Sequence, residues 1–325
     1  MRLCAFGELL IDVTPYGRSE KGYPVCEFNP GGAPANVAVA CVNLGMGASF
    51  IGQVGDDHYG HFLKDVLTQK GVDTSGLLMS PSAPTSLAIV SLTESGERSF
   101  SFYRKHGADI AVTFNTIFRE AIDRADAFHC GSVSLSDEPA RSATLDMLKY
   151  AHASGKVVSF DVNLRPLLWD DLTLAKSLIE QALPFVDILK VSDEELMFLQ
   201  PGLSEADALN ALAQRYPITM IVITSGELGS AVYTQGRLIR QPSFRVTAID
   251  TTGAGDAFFG AFLHGVYSAN LDLESFSDAQ LRTVLRNANA CGAITTLTKG
   301  AIGALPTLAT RDAFLATAHE NNHRT

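Results

Sequence analysis

The sequence predicts an α/β protein, a three-layer αβα sandwich with a mostly parallel central sheet and a small additional β-sheet. Short apolar runs alternate with helical patterns along most of the chain, an order typical of parallel sheets covered by helices. The composition supports a large buried core, because 46% of the residues are hydrophobic and only 18% are charged. The 325 residues contain no repeats or Pro/Ser-rich linkers, so we expect one main domain with an appendage.

The first elements establish this alternation. Residues 3–13 are mostly apolar, which predicts a buried strand with Asp12 near its carboxyl end, where α/β proteins bind ligands. A passage rich in glycine and proline then leads into a helix over 30–45, in which apolar residues recur at helical spacing until a glycine ends it. A strand over 48–55 and a helix over 58–71 follow.

Residues 87–103 interrupt the alternation. Two strand-like segments flank the turn TESGE, and Phe100 and Phe102 alternate with serines, which predicts an amphipathic hairpin. Together with the segment after the first strand, this hairpin is expected to form a β lid that closes over the carboxyl end of that strand. The lid is assigned to 11–29 and 84–107, and the main domain to 1–10, 30–83 and 108–325.

The alternation resumes after the hairpin. Strands are predicted over 126–132, 156–163, 187–192 and 219–226, with helical patterns between them. Residues 230–250 have the pattern of a β-meander, and helices are predicted near 254–269, 279–296 and 310–320. In the second of these helices, the residues that line one apolar face are Leu281, Val284, Leu285, Ala288 and Cys291.

Charge and cysteine usage restrict the partners. Acidic residues outnumber basic ones by 35 to 25, a net charge of −10. Nucleic acids and anionic membranes are held mainly by clustered Lys and Arg, so neither is expected as a partner. The five cysteines are scattered without a CxxC spacing, which favours free thiols in a cytoplasmic, reducing compartment. Neither a signal peptide nor a membrane helix is predicted.

The segment AIDTTGAGDAFFGAFLHG, residues 248–265, is the most informative. Small residues open an apolar helix here, so free backbone N–H groups and the helix dipole create an anion-binding site. A carboxylate would repel a bound phosphate, which favours Asp256 as the general base that accepts a hydroxyl proton during phosphoryl transfer. An ordinary turn with Asp256 at a helix start is the alternative at this point. A dinucleotide site is disfavoured, because the glycines miss the GxGxxG spacing.

Two segments resemble the signatures of a known family. Residues 248–265 resemble the C-terminal signature of the PfkB family of sugar kinases, which have the ribokinase-like fold. GGAPANVAVACVNLGMGASFIGQVGDD, residues 31–57, resembles the N-terminal signature, and the resemblance extends over essentially the whole chain. It implies an ATP-dependent carbohydrate kinase that uses Mg²⁺ and binds a monovalent cation such as K⁺.

The resemblance also implies roles for individual residues. Asp256 matches the family's catalytic base, and Gly253, Ala254 and Gly255 match the anion hole for the transferred phosphoryl group. The positions that bind the sugar fall on Asp12, Gly31, Gly32 and Asn36, with helix capping as the alternative for Asn36. The positions that bind ATP fall on Thr224, Gly226 and Gly229 of ITSGELGS, and on Asn289 beside the adenine.

Metal-binding roles follow from two further segments. KVSDEEL, residues 190–196, resembles the Asn-x-x-Glu motif, so Ser192 stands at the asparagine position beside ATP, and Glu195 orders magnesium through water. An acid in a helix first turn is the alternative for Glu195. The residues matching the monovalent cation site are Asp250, Thr252, Thr295, Thr298 and Gly300. Ala304 replaces a hydroxyl residue of ribokinases proper, which removes one side-chain oxygen.

Three segments point to the fructokinases within the family: GGAPANVA (31–38), SFYRKHGAD (101–109) and DVNLRPLLW (161–169). Arg104 and Arg165 are the notable cations in them; each binds the sugar or a phosphate, or forms a structural ion pair. We expect transfer of the γ-phosphoryl group of ATP to the primary hydroxyl of a furanose. D-Fructose ranks first, aminoimidazole riboside second and 2-keto-3-deoxygluconate third, and a non-catalytic sugar sensor is the alternative of another class.

Other catalytic motifs are absent from the sequence. It contains no GxxxxGK[ST] phosphate loop, no GxSxG elbow and no HExxH zinc motif. The amphipathic hairpin would expose Phe100 and Phe102 unless they pack against a ligand, the main domain or a second lid. We therefore expect a homodimer formed through the lids.

Overall fold

The computed structural model describes residues 1–92, 98–269 and 272–322. The described strands are β1 (Arg2–Phe6), β2 (Leu10–Arg18), β3 (Pro24–Gly31), β4 (Gly47–Gly55), β5 (Asp73–Ser80), β6 (Leu87–Leu92), β7 (Arg98–Tyr103), β8 (Ala127–Gly131), β9 (Val157–Asp161), β10 (Ile188–Ser192), β11 (Met220–Thr224), β12 (Ser230–Thr234) and β13 (Arg237–Gln241). The described helices are α1 (Ala33–Asn43), α2 (His58–Gln69), α3 (Thr116–Asp123), α4 (Ala140–Ala153), α5 (Leu172–Ala182), α6 (Asp193–Leu199), α7 (Glu205–Arg215), α8 (Ala254–Ser268), α9 (Asp278–Thr295) and α10 (Leu308–Asn322).

The larger sheet has the strand order β13-β12-β11-β10-β9-β8-β1-β4-β5. The strands from β11 to β5 pair in parallel, and β12 and β13 add an antiparallel edge. Side chains of β1 alternate between two separate cores: Leu3 and Ala5 lie in one, and Cys4 and Phe6 lie in the other. Helices therefore cover both faces of the sheet, which confirms the predicted three-layer arrangement.

Each face of the larger sheet has its own set of helices. Buried residues of α1, α2, α8 and α9 pack on one face, and those of α3 to α7 pack on the other. The five residues predicted to line one face of α9 are all buried. No helix in the described part of the chain is both long enough and apolar enough to span a membrane.

A second sheet of four strands has the order β3-β2-β6-β7. The chain leaves the larger sheet twice to build it, once after β1 and once after β5. The turn TESGE of the predicted hairpin and the side chain of Phe100 lie outside the described residues. Asp12 pairs with Ala88, and Ala88 pairs with Phe102, so these three residues share one face of the small sheet.

Two predicted strands differ from the structure. Residues 3–13 do not form one strand, because the chain turns at Gly7 and passes from the larger sheet into the smaller one. Gly7 has φ +154, and a Cβ there would lie 2.6 Å from Cγ of Pro34, so the turn requires glycine. Asp12 therefore belongs to the small sheet. The predicted meander over 230–250 ends at Gln241, and no strand covers the following residues up to 250.

α1 and α8 approach each other almost at backbone distance. A Cβ at Gly260 of α8 would lie 2.6 Å from Cβ of Ala40 and 3.1 Å from the carbonyl oxygen of Val37. Four residues earlier in each helix, Asn36 contacts Asp256. The two helices therefore run parallel at this contact, with their amino-terminal turns side by side.

Candidate active site

The first turn of α8 is open to a ligand. Gly253 precedes it with φ +77, in the left-handed region, and a Cβ there would lie 2.8 Å from Cβ of Ala301. Glycine is needed on both counts. No side chain caps this helix, and the N–H of Ala254 donates to the carbonyl oxygen of Thr251 at 3.2 Å. The N–H groups of Gly253 and Gly255 and the helix dipole are available to an anion, as expected for this segment.

Asp256 lies in the same turn. Asn36 donates a hydrogen bond from Nδ2 to Oδ2 of Asp256 at 2.7 Å. Burial raises the pKa of Asp256, and the Asn36 bond opposes that shift. Oδ1 of Asn36 is buried and has no hydrogen-bond partner among the described residues. Such an acceptor is costly unless a ligand donates to it, so Asn36 both positions Asp256 and offers an acceptor to a ligand.

The small sheet contributes Asp12 from β2. Its carboxylate lies against Gly31 of β3, where a Cβ would come within 2.1 Å of Oδ2. Burial, followed by the negative charge of Asp256, raises the pKa of Asp12 to about 7. The two carboxylates therefore face a common space, Asp12 from the small sheet and Asp256 from α8. Carboxylate oxygens accept hydrogen bonds from hydroxyl groups, which suits a polyol ligand.

Gly32 lies where the chain returns to the larger sheet. It has φ +120, and a Cβ there would lie 2.2 Å from the carbonyl oxygen of Glu8. Oε1 of Glu8 accepts a hydrogen bond from the N–H of Ala33 at 2.9 Å, which joins the two connections between the sheets. Gly32 thus has a conformational role, and its contact with a sugar stays a prediction.

Arg104 is engaged in a buried ion pair. It is 3% exposed, and its Nε donates to Oδ2 of Asp109 at 2.6 Å. Its other nitrogens donate to the Ser136 hydroxyl at 2.6 Å and to the carbonyl oxygen of Val133 at 3.3 Å. These contacts favour the structural interpretation, because they link the end of the small sheet to the segment after β8.

Arg165 differs from Arg104 in both exposure and contacts. Its side chain is exposed, and its charge lowers the pKa of both Asp12 and Asp256. Arg165 is therefore close enough to both carboxylates to interact with an anion bound between them.

A cavity of about 740 Å³ lies beside the first turn of α8. Its volume falls within the range of small-molecule and cofactor sites. The residues from the sequence prediction that line it are Thr224, Gly226, Gly229, Ala254, Gly255 and Asn289. Residues expected to bind ATP and residues of the expected anion hole therefore border one space.

The wall of this cavity depends on two of these residues. Gly229 has φ +116, and a Cβ there would lie 2.3 Å from the carbonyl oxygen of Gln241. Asn289 donates from Nδ2 to the carbonyl oxygens of Gln241 and Pro242, both at 3.1 Å. The amide of Asn289 thus holds the chain segment that forms one side of the cavity.

Ser192 and Glu195 form a capping box at the start of α6. Glu195 N–H donates to the Ser192 hydroxyl at 3.1 Å, and Ser192 N–H donates to Oε2 of Glu195 at 2.8 Å. Oε1 of Glu195 accepts from the N–H of Leu164 at 2.7 Å. The helix-start alternative for Glu195 therefore has direct support. A carboxylate so engaged suits magnesium held through water better than direct ligation.

The segment expected to hold a monovalent cation is tied together by Asp250. Oδ1 of Asp250 accepts from the N–H and the hydroxyl of Thr252 at 2.8 and 2.7 Å, and Oδ2 accepts from Gly300 N–H at 3.0 Å. The Thr295 hydroxyl donates to the carbonyl oxygen of Cys291, while Thr298 is exposed. Within the described ranges, no group of three or more His, Cys, Asp or Glu side chains is placed to hold a metal ion.

Sequence reasoning missed an ion pair beneath this site. Nζ of Lys190 donates to both carboxylate oxygens of Asp161 at 2.9 Å, and both side chains are buried. The two residues are paired in register across β10 and β9. A Cβ at Gly255 would lie 3.8 Å from Nζ of Lys190, which places the pair against the first turn of α8. A charged residue inside each of two apolar strands was the available signal.

The model of the pfkB family of carbohydrate kinases matches residues 1–308. Among curated proteins, a probable fructokinase of Arabidopsis thaliana is 44% identical over 308 residues, which cover 94% of this chain and 94% of that protein.

Solved structures agree with this match. The fructokinase of Xylella fastidiosa with bound ATP superposes with a TM-score of 0.89 at 33% identity, covering 98% of this chain and 99% of that one. A fructokinase double mutant of Vibrio cholerae O395 in a form with fructose, ADP and potassium ion bound has a TM-score of 0.85 at 36% identity, covering 97% and 98%. An aminoimidazole riboside kinase of Salmonella enterica has a TM-score of 0.81 at 31% identity, covering 97% and 100%. This chain therefore belongs to the PfkB family of carbohydrate kinases, with the ribokinase-like fold that the family resemblance implied.

Proposed function

We propose that this kinase transfers the γ-phosphoryl group of ATP to the 6-hydroxyl of D-fructose. The observation that carries the proposal is the position of α8. Its first turn borders the large cavity through Ala254 and Gly255, and it presents Asp256 toward Asn36 and Asp12. A phosphate donor and a polyol acceptor would thus meet at one helix N-terminus, with a base between them.

The transfer step uses Asp256, Asn36, Arg165 and the backbone of the first turn of α8. The 6-hydroxyl oxygen forms a bond to the γ-phosphorus while the bond from that phosphorus to the bridging oxygen of ADP breaks. The hydroxyl proton passes to the free Oδ1 of Asp256, since Oδ2 accepts from Asn36. The backbone N–H groups of Gly253 and Gly255 and the guanidinium of Arg165 stabilise the negative charge on the transferred group.

Metal ions complete the phosphate side of the site. Magnesium, when bound to ATP, neutralises charge on the phosphate oxygens, and Glu195 would order its water ligands. The segment of Asp250, Thr252 and Gly300 is the proposed monovalent cation site, because it adjoins the first turn of α8. We expect turnover to require magnesium and to rise modestly when potassium replaces sodium. Equal rates with potassium, sodium and bulky organic cations would remove the cation site from this scheme.

Fructose is the preferred acceptor because of how the polar groups are arranged. Asp12 and the free Oδ1 of Asn36 would hold ring hydroxyls at one end of a furanose, which leaves the exocyclic hydroxymethyl group facing Asp256. A glucose pyranose places its hydroxyls differently and would leave buried polar groups without partners. The fructokinases among the similar proteins support this choice. Aminoimidazole riboside also carries a furanose with a hydroxymethyl group and is the second candidate.

The decisive experiment compares kcat/KM for four acceptors with ATP and magnesium: fructose, ribose, 2-keto-3-deoxygluconate and aminoimidazole riboside. ADP formation is the readout, and the product of the fructose reaction is checked by NMR for phosphate on C6. We expect fructose to give the highest value. A value for the riboside a hundredfold above that for fructose would reassign the substrate but keep the kinase mechanism. No ADP with any acceptor would favour the sugar sensor.

We also propose that two copies associate through their small sheets. β3 is an edge strand of the small sheet, and its first five residues are exposed. Large aromatic side chains remain accessible on this sheet, with Tyr16 at 70% and Tyr103 at 65% exposure, and Tyr23, just before β3, is 68% exposed. Exposed edge strands and apolar surface are typical of strand-mediated association, and a second copy offers a matching edge by symmetry.

A reducing, cytoplasmic location is proposed on the basis of the thiols. The cysteines form no disulfides, and four of them, Cys4, Cys41, Cys130 and Cys291, are buried. Free buried thiols are typical of proteins that fold in a reducing compartment.

A further inference from the structure

The Asp161–Lys190 ion pair lies in a polar layer between the larger sheet and α8. Lys190 is 6% exposed and Asp161 is 2% exposed. Nζ of Lys190 lies 6.0 Å from the ring centre of Phe259 in α8, and the His129 ring contacts the same phenyl group at 5.4 Å. Burial lowers the pKa of His129 to about 4, so His129 is neutral near pH 7 and adds no charge to this layer.

Stability alone gives no reason to bury these two charges. A buried ion pair repays its desolvation only with good geometry, and apolar residues of similar volume often stabilise a protein equally well. Most residues of the neighbouring strands β8 and β11 are apolar. The pair is bonded through both carboxylate oxygens, and Asp161 also accepts from the N–H of Asn163 at 3.2 Å. It is therefore held in one position relative to the first turn of α8.

Five polar or charged side chains from neighbouring elements act on Asp256. Asn36 of α1 donates to it, and Asp12 of β2 faces it from the small sheet. Arg165, after β9, lowers the pKa of Asp256. The two charges of the buried ion pair have opposite effects on Asp256: Asp161 of β9 raises its pKa, and Lys190 of β10 lowers it. The contributions of the two partners are thus opposed.

Lys190 also faces a second carboxylate. Glu195, at the start of α6, raises the pKa of Lys190, as Asp161 and Asp256 do. One lysine therefore balances three carboxylates from three different elements. Removing its charge would leave Asp161 buried without a partner, beside a base that must be ionised to accept a proton.

We propose that Asp161 and Lys190 are positioning residues that act through Asp256: together they balance the charge beneath the base and so set the pH at which it accepts the sugar proton. The inference rests on the role of Asp256 proposed above. It assigns a positioning role to two buried residues that do not line the cavity beside α8. It also predicts opposite effects for the loss of each partner, which a purely structural pair would not produce.

The test is the acidic limb of the pH profile of kcat/KM for fructose, measured for K190M, D161N and the double variant K190M/D161N. In K190M the limb should move to higher pH by about one unit, since an opposite charge nearby shifts a carboxyl pKa by ~1–3 units. In D161N it should move to lower pH. In the double variant, which removes both charges, it should return to within about 0.3 units of the wild type.

Control variants separate this effect from folding and from the kinase assignment. K149M removes an exposed lysine whose described ion pair is with Asp146, and it should leave the limb in place. If K190M fails to fold, D161N and the double variant still test the proposal. The acidic limb should move in D161N and stay near its wild-type position in the double variant. Limbs that stay in place, or that move in the same direction in both single variants, overturn the inference. Full turnover in D256N would instead overturn the proposed role of the base.

Discussion

The two sheets of this kinase are built differently. All five residues of β8 in the larger sheet are buried, whereas the first five residues of β3 in the smaller sheet are exposed. Parallel strands covered by helices on both faces form a rigid support, while a thin sheet with one open face can move or associate. The small sheet contributes Asp12 to the site, and α8, which packs on the larger sheet, contributes Asp256, the proposed base.

This difference suggests that the two sheets have different roles in the reaction. The proposed chemistry requires a base and an anion site held in fixed positions, and α8 on the larger sheet would provide both. The proposed closure over the sugar requires a part that can approach and withdraw, and the small sheet, with its exposed strand β3, is the candidate for that part. Four substitutions test whether the larger sheet and the small sheet have these different roles.

The largest effect is expected at the buried framework, in Asp256→Asn. The amide keeps the shape and the Asn36 contact but removes the proton acceptor, so kcat should fall by ~10²–10⁴ while the affinities for ATP and fructose change little. Initial rates and calorimetric binding measure the two quantities. Asp146→Asn, on the exposed face of α4, is the control. A variant that keeps more than about a tenth of wild-type turnover would place the base elsewhere.

The matching change in the small sheet is Asp12→Asn. Loss of a charged hydrogen-bond acceptor should raise the KM for fructose by about 10- to 100-fold, since such bonds contribute ~1.5–3 kcal/mol. The KM for ATP should stay near its wild-type value, because Asp12 does not line the large cavity. Steady-state kinetics with each substrate varied in turn provides the test. A selective fall in kcat, with KM unchanged, would contradict a sugar-holding role.

A smaller effect concerns the exposed edge of the small sheet. Val25 lies on β3 and is 37% exposed, so Val25→Asp places a charge where a second copy would pair. The molar mass from light scattering should fall from that of a dimer to that of a monomer. Leu174→Asp, at an equally exposed apolar position of α5, should leave the dimer intact. Dissociation by both variants, or by neither, would remove the small sheet as the interface.

The smallest effect is expected at the connection between the sheets. Glu8 has a folded-state pKa of about 7, above its usual 4.5, because it is buried. Its contribution to stability is therefore complete below about pH 4.5 and is lost as the pH rises through 7. Glu8→Gln should leave stability nearly unchanged at pH 4 and raise it at pH 8.5, by at most about 3 kcal/mol. Chemical denaturation at the two pH values measures this, and equal stability changes at both would refute the shift.

Much of the framework could be predicted from local pattern. Most ends lie within two residues of the predicted bounds for the helices α1, α8 and α9 and for the strands from β8 to β11. Glycines and small residues mark the start of α8, because the left-handed Gly253 and the close approach of Ala301 leave no alternative. Residues expected to bind ATP border one cavity, and Asn36 meets Asp256, as the family resemblance implied for a shared site.

What could not be predicted depends on contacts between distant segments. The break at Gly7 falls within an apolar run, so local hydrophobicity hides the passage from one sheet to the other. The Asp161–Lys190 pair depends on the register of two strands, which sequence spacing does not reveal. The sequence left Arg104 as either a ligand-binding cation or a member of a structural ion pair, and only the folded turn shows that it contacts Asp109. Charge patterns in the sequence identify candidate site residues, but the three-dimensional pairing of strands and turns decides which residues contact each other.

The close packing of α1 against α8 has a consequence for how this enzyme tolerates change. Asn36 and Asp256 keep their 2.7 Å contact only while Ala40 and Gly260, one turn further along each helix, stay small enough for the helices to touch. Adding a single methyl group at position 260 would wedge the helices apart and move Asn36 away from Asp256, the proposed base. A buried position without a polar side chain would therefore control the geometry of the proposed proton transfer. Variation there would show itself as lost catalysis before it showed itself as lost folding.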